Sequence, residues 1–376
     1  MADHKIKVLL YNPGIDCGGI ETFLFYLMEY FYMDKDLSIS LLTRNGVKSS
    51  AVFQSMKNKK FDAVSLDIEH LNIKTAVKFR CRLRKYLKNR KFDILHLHGM
   101  DEPFVISESI KSGIKKIFIH VHSTEMIERN VSWFLKIEKD YIRRKNFAHA
   151  DAVMAPSKEV ISILKGAGIH KPAYWIANVI DIDQYRFSQK ERVRYRDRLG
   201  IADDTFVIGH TGRFTDVKNH EFIIRIFKEF LKTKQNVKLV LAGEGPLKEN
   251  IISQIISMKI EENVLLTGSR SDVSQLLNAF DVFLFPSKFE ALGISLVEAQ
   301  CNGLPCLTSD TIPADGIVTD LVYRCSLKDS VQDWCRALRM IKTNVLREPY
   351  ADIVKSKGYG LDAMKDCIRQ IYLGKS

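Results

Sequence analysis

The 376-residue chain has no apolar run near the roughly 18 residues that a membrane-spanning helix needs. Its N-terminal Ile6-Lys7-Val8-Leu9-Leu10-Tyr11 is too short for the core of a secretion signal and leads straight into a glycine-containing turn. Internal repeats and low-complexity tracts are missing. None of the seven cysteines stands in a Cys-x-x-Cys pair, and Cys301 and Cys306 fit neither a zinc knuckle nor a redox motif. Free, buried thiols in a reducing compartment are expected. With 46% hydrophobic and 27% charged residues, the composition excludes disordered, collagen-like and coiled-coil chains. A cytoplasmic protein, free or peripheral at the inner face of the cell membrane, with two or three domains of about 150 residues is the expectation.

What is plentiful is positive charge, and it is uneven. The net charge is +12, and residues 1–180 carry 29 Lys/Arg against 19 Asp/Glu, whereas the remainder carries 28 against 26. A basic half invites a membrane surface, nucleic acid or a phosphorylated ligand. The charge peaks in Lys74–Lys91, with nine basic residues and no acidic one. Ala76, Phe79, Leu83, Tyr86 and Leu87 recur there at helical spacing, which predicts an amphipathic helix. Its charged face either meets water or docks on anionic lipid, where each cation is worth about 1 kcal/mol. No aromatic-rich strand or finger pattern accompanies it, so nucleic acid is not an expected partner.

Short apolar runs alternate with longer amphipathic segments along the chain. Eleven read as strands: Ile6–Tyr11, Ile39–Thr43, Phe92–His98, Lys116–Val121, Ala152–Ala155, Tyr174–Ala177, Phe206–Thr211, Val237–Ala242, Val264–Thr267, Val282–Pro286 and Pro305–Ser309. Continuous Val/Ile/Leu/Phe runs suit strands covered on both faces, and the alternation with helices predicts parallel α/β sheets. The pattern restarts after the polar stretch Asn178–Asp204, so the predicted fold is two Rossmann-like, doubly wound domains facing a cleft. Ligands in such sheets bind beyond the carboxyl ends of the strands.

Three strand ends carry chemistry. After the first strand, Gly18-Gly19 precede an apolar helix, where backbone amides can approach a phosphate or simply form a turn. In the second half Gly209-His210-Thr211-Gly212-Arg213 ends a strand and Lys218 follows in the same loop. A guanidinium fork and a point charge together suit a diphosphate, although two solvated loop cations would look the same. After Val282–Pro286 the chain reads Phe289-Glu290-Ala291-Leu292-Gly293-Ile294-Ser295-Leu296-Val297-Glu298, with Gly293 at the start of a helix. The amides of Leu292, Gly293 and Ile294 can meet an anion there. Glu298 lies among Leu296, Val297 and Ala299, where a carboxylate needs a partner. His96, His98, His120 and His122 form two His-x-His pairs on adjacent strands. Four histidines suggest a metal, but no Asp or Glu stands at convincing ligand spacing, so none is expected. Asp181-Ile182-Asp183 has the spacing of a metal-binding Asp-x-Asp.

The ordered set Gly-Gly-x-Glu (Gly18–Glu21), Gly212-Arg213 with Lys218, Gly243-Glu244-Gly245-Pro246, and Glu290-x7-Glu298 resembles the retaining family 4 glycosyltransferases of the two-domain GT-B fold. The resemblance spans nearly the whole chain, and Gly293–Gln300 with Leu304-Pro305-Cys306 resembles the exopolysaccharide and capsule-building branch. It implies a first domain at 1–180 on the acceptor side, completed by a C-terminal helix within 358–376, and a nucleotide-sugar domain at 181–357. It also implies roles residue by residue. Gly18, Gly19 and the amides around Leu292, Gly293 and Ile294 would face the donor diphosphate, with Gly243 in the donor loop. Arg213 and Lys218 would neutralise the departing diphosphate, and Glu290 would face the donor sugar. Glu298 would hold the ribose, and Gly268 with Arg270 would lie near the base. His122 would contact the sugar beside its reacting carbon, with His98 on the acceptor side. In this resemblance Asp181–Asp183 falls in the interdomain linker rather than at a metal.

The implied activity is retaining, metal-independent transfer of a sugar, without a cofactor, from a nucleotide-sugar, expected to be a UDP-sugar. The implied acceptor is a glycan or polyprenyl-diphosphate-linked saccharide in cell-surface polysaccharide synthesis. Two alternatives stay open on the residues: a sugar-nucleotide epimerase of the same fold, and a non-catalytic partner of a transferase.

Overall fold

The computed structural model describes residues 5–15, 19–46, 51–122 and 133–375, and the chain divides into two compact units. The first comprises residues 1–178 with 362–376, the second residues 179–361.

The first unit holds an all-parallel seven-stranded sheet: β1 Ile6–Ile15, β2 Leu37–Gly46, β3 Ala63–Ser65, β4 Ile94–His98, β5 Lys116–His120, β6 Ala152–Ala155 and β7 Ala173–Trp175, in the order 3-2-1-4-5-6-7. Its central strands are buried without interruption, as two helix-covered faces require. β1 corrects the sequence reading, because it continues past Tyr11 to Ile15. Pairing with β4 stops at Tyr11, but β2 goes on pairing as far as Ile15, and Pro13 is tolerated where the strand has a neighbour on one side only. The last helix, Leu361–Leu373, buries Met364, Ile368, Ile371 and Tyr372 in this unit, and its Arg369 reaches Asp34 at 3.1 Å.

The second unit has the order 10-9-8-11-12-13, again all parallel: β8 Phe206–Thr211, β9 Val237–Ala242, β10 Val264–Gly268, β11 Val282–Phe285, β12 Cys306–Ser309 and β13 Val322–Cys325. Successive strand residues feed two cores. Ile208, Leu239, Leu241 and Leu284 meet Ile223, Phe227 and Trp334, while Val207, Val240, Phe283 and Phe285 meet Leu276, Phe280 and Leu296. Residues 358–361, expected with the terminal helix, stay with this unit because the Ile180 amide donates to the Tyr359 carbonyl. Thirteen strands are described where eleven were expected. The two missed, β3 and β13, are short edge strands with half-exposed residues and no apolar run.

In each sheet the strand order reverses at one point, between β1 and β4 and between β8 and β11, and the strand ends there form the natural ligand crevice. Gly209 lets β8 reach that point. A Cβ on it would lie 1.9 Å from the Phe280 ring. Gly209→Ala is therefore expected to destabilise the protein by about 1–3 kcal/mol through overpacking, read as a lowered urea midpoint at unchanged slope.

Candidate active site

In the second unit the loops after β8 and β11 meet. The Lys218 ammonium lies 2.7 Å from Glu290 Oε1, with side chains 17% and 13% exposed, and 4.9 Å over the Phe285 ring. Arg213, in the same loop as Lys218, is exposed and its guanidinium makes no ion pair among the described residues. The two cations expected together thus differ: one is already neutralised, the other is free to meet an anion.

Glycines shape this loop by letting backbone approach backbone. A Cβ on Gly243 would sit 2.0 Å from the Gly212 carbonyl oxygen, and one on Gly245 2.5 Å from that of Phe214. The Phe214 amide donates to the Glu244 carbonyl at 2.8 Å, and Phe214 itself is buried. The Gly243–Pro246 segment is thereby the floor under Arg213. Gly268 joins it, its carbonyl accepting from the Gly243 amide. Arg270 is committed to a two-bond fork on Asp272, at 2.6 and 2.5 Å, and the Tyr195 hydroxyl donates to the same carboxylate.

Gly293 caps the helix Ile294–Cys301 at a left-handed φ of 84°, which favours glycine. The Leu296 and Val297 amides turn back to the Gly293 carbonyl, so the amides before them are the open end of the helix, the end that favours an anion. Leu292 is buried, and Gly316 makes room for its carbonyl. Glu298, half-buried on this helix, has the partner its apolar neighbours required: the Tyr185 hydroxyl donates to Oε1 at 2.8 Å. Enclosure still pushes its carboxyl up to about 7, against the pull of Tyr185 and Lys218.

In the first unit His96, His98 and His120 of β4 and β5 stack with His122, two residues past the end of β5. His96 Nδ1 meets the Tyr372 hydroxyl at 2.5 Å and His96 Nε2 lies 3.2 Å from His120 Nδ1. His98 Nδ1 and His122 Nε2 are 2.7 Å apart, so one supplies the N–H and the other the lone pair. Burial holds all four rings well below the ordinary imidazole range, His96 and His122 at about 3. They are neutral at physiological pH. His96, His98 and His120 bring one nitrogen each within 4.8 Å of one another, close enough for one ion; among the described residues no carboxylate joins them, His96 bonds to His120 and Tyr372, His98 bonds to His122, and Nε2 of His98 and of His120 is buried without a partner. Phe23 packs on His98, His120 and His122 and thus sets the start of its helix, Gly19–Phe31, beside them. Gly18 lies outside the described residues. Asp181 accepts from the Gln184 amide as the cap of the short helix Ile182–Tyr185.

Two residues were missed from sequence. Tyr185 showed no motif; only the need of Glu298 for a partner pointed to it. Glu102 is buried beyond β4, accepting from Tyr11 at 3.0 Å beside Arg44 at 3.4 Å, from three segments far apart in the chain.

The family described as Glycosyltransferase Family 4 matches residues 17–184, and Glycosyl transferases group 1 matches residues 191–355. The Bacillus subtilis (strain 168) protein named as glycosyltransferase EpsF is 28% identical over 350 residues, 90% of this chain and 88% of its own. The O-antigen biosynthesis glycosyltransferase WclY of Escherichia coli is 25% identical over 252 residues, 64% of this chain and 67% of its own. Among solved structures, Anabaena HepE with UDP and glucose superposes with a TM-score of 0.81 at 17% identity, covering 98% of this chain and all of that one. With both halves of the chain matched in order and two Rossmann-like sheets of GT-B type, the protein belongs to the family 4 glycosyltransferases.

Proposed function

We propose that this glycosyltransferase moves a sugar from a UDP-sugar to a hydroxyl of a glycan or polyprenyl-diphosphate-linked saccharide, with retention of configuration and without a metal or other cofactor, in cell-surface polysaccharide synthesis. The observation that carries the reading is the pairing of Lys218 with Glu290 next to Arg213, which makes no ion pair among the described residues, at the β8/β11 reversal. Related proteins named for O-antigen synthesis, and a structural neighbour holding UDP-glucose, support the choice of acceptor class and donor.

The sugar C1–phosphate oxygen bond breaks as negative charge grows on the leaving diphosphate. Arg213, Lys218 and the open amides near Gly293 stabilise that charge, as preorganised donors do in an oxyanion hole. A donor phosphate draws Lys218 toward itself and leaves Glu290 to the sugar hydroxyls. The acceptor oxygen bonds C1 from the same face, and its proton passes to the leaving phosphate oxygen. Glu298 holds the ribose. His122, neutral, serves as a hydrogen-bonding group to the sugar rather than as a general acid. The cations supply the neutralisation a metal would otherwise bring.

Arg213→Ala and Lys218→Ala are each expected to lower turnover by about 10²–10³-fold, with EDTA without effect and NMR of the product giving the donor's anomeric configuration. An inverted product, or wild-type rates in both variants, contradicts the mechanism.

The basic helix Ile73–Lys88 carries the membrane part of the proposal. No helix among the described residues is long and apolar enough to cross a membrane. The arginines of this helix are used internally: Arg80 and Arg84 clamp the buried Glu108 at 2.9 and 2.6 Å, and Arg82 caps the Leu66 carbonyl. Lys74, Lys78, Lys85 and Lys88 instead point outward beside the exposed Ile73 and Val77. Cations around protruding apolar side chains suit an anionic lipid surface. The protein is expected to co-sediment with phosphatidylglycerol vesicles and not with phosphatidylcholine vesicles, and Lys74→Glu/Lys78→Glu to weaken that binding by about tenfold or more. Equal binding to both vesicle types removes this part.

A further inference from the structure

The Tyr185–Glu298 contact has no role in the transfer as described, yet it lies at a group the transfer needs. Tyr185 ends a single-turn helix, Ile182–Tyr185, capped by Asp181. That helix packs against Ile294–Cys301, and its hydroxyl is spent on one oxygen of Glu298, Oε1, at 2.8 Å. Asn302 anchors the same turn, its side-chain amide donating to the Tyr185 carbonyl at 3.0 Å. A half-buried carboxylate with one oxygen occupied by an internal donor presents its other oxygen in a fixed direction.

We propose that Tyr185 is the positioning residue of the nucleotide site: its hydroxyl holds and orients Glu298 through Oε1, so that Oε2 is left to accept from the ligand. The proposal rests on the reading of Glu298 as the ribose-holding group. A hydroxyl that donates to a carboxylate stabilises the charged form, whereas enclosure in protein favours the neutral acid. The two effects oppose each other here, and the result lies near neutrality. A protonated Glu298 would have one acceptor fewer, so the state of this group decides how well the site grips a diol.

The surroundings leave few other influences. The helix bearing Glu298 packs on Ile182–Tyr185, Tyr350–Val354, the turn Ala314–Gly316, β11 and β12. On these lie Asp183 and Asp352, both engaged with Arg186, and Asp315, Tyr350 and Cys306. Burial pushes the thiol of Cys301, one turn further, up to about 12, with Arg186 opposing and Glu298, Asp183 and Asp352 adding to the rise, so it stays neutral. Lys218 is the cation acting on Glu298, and it is shared with Glu290. Removing the Tyr185 hydroxyl thus removes the neutral donor seen among the described residues and leaves burial less opposed.

The test is a pH titration of the full-length protein labelled with 13C at the glutamate carboxyls, with the Glu298 signal assigned by its loss in Glu298→Gln. Tyr185→Phe is expected to move the Glu298 midpoint upward by about one unit while the other glutamate signals titrate as before. In the same variant the affinity for UDP-glucose, whose diphosphate diester does not titrate near neutrality, should need a correspondingly higher pH to reach its plateau. A Glu298 midpoint unchanged in Tyr185→Phe overturns the proposal. The nucleotide reading fails separately: if Glu298→Gln binds UDP-glucose as the wild type does, Glu298 does not hold the nucleotide, whatever the titration shows.

Discussion

The site depends on an ion pair that joins two loops at the one place where the second sheet reverses its order. Lys218 comes from the loop after β8 and Glu290 from the loop after β11, and neither has much water to fall back on. In such a setting each charge needs the other, because a lone one would bear its desolvation unopposed. The pair therefore ties the loops together and holds two groups of opposite sign at the ends of these strands. Arg213, exposed and unpaired, is the part of the arrangement that needs no prior bond broken. The glycines below it are structural, since Gly243 and Gly245 allow backbone contacts that any Cβ would prevent.

Enclosure tunes the remaining groups in both units, with opposite outcomes by charge type. It keeps the imidazoles of His98 and His122 neutral, and it raises the Glu298 carboxyl toward neutrality. Both shifts follow from the same penalty on the charged form. They differ in consequence, because a neutral imidazole still donates and accepts, whereas a protonated carboxyl loses an acceptor. That is why an internal hydrogen bond at Glu298 matters, and why the histidine pair needs only a fixed tautomer.

Much of this was legible in the sequence. Continuous apolar runs located the buried parallel strands, because a strand covered on both faces cannot alternate; Ala152–Ala155, Phe206–Thr211 and Val237–Ala242 coincide with β6, β8 and β9. Edge strands escaped because they bury too little to leave a run. The motif-bearing residues Lys218, Glu290, Gly293 and Glu298 stand out in the sequence because loop chemistry clusters at strand ends. Tyr185 and Glu102 do not, since a hydrogen bond between residues 113 apart in the chain has no local signature. The charge of Lys74–Lys91 was evident, but its division into arginines bonded to Glu108 and the Leu66 carbonyl and outward lysines depends on where those groups lie in the fold.

The most direct measurement is a binding and slow-hydrolysis screen of the purified protein against UDP-, GDP- and ADP-sugars. The account predicts one preferred UDP-sugar that is bound and slowly releases free sugar in the absence of acceptor. Conversion of the sugar to its epimer, or no binding of any nucleotide-sugar, would contradict it.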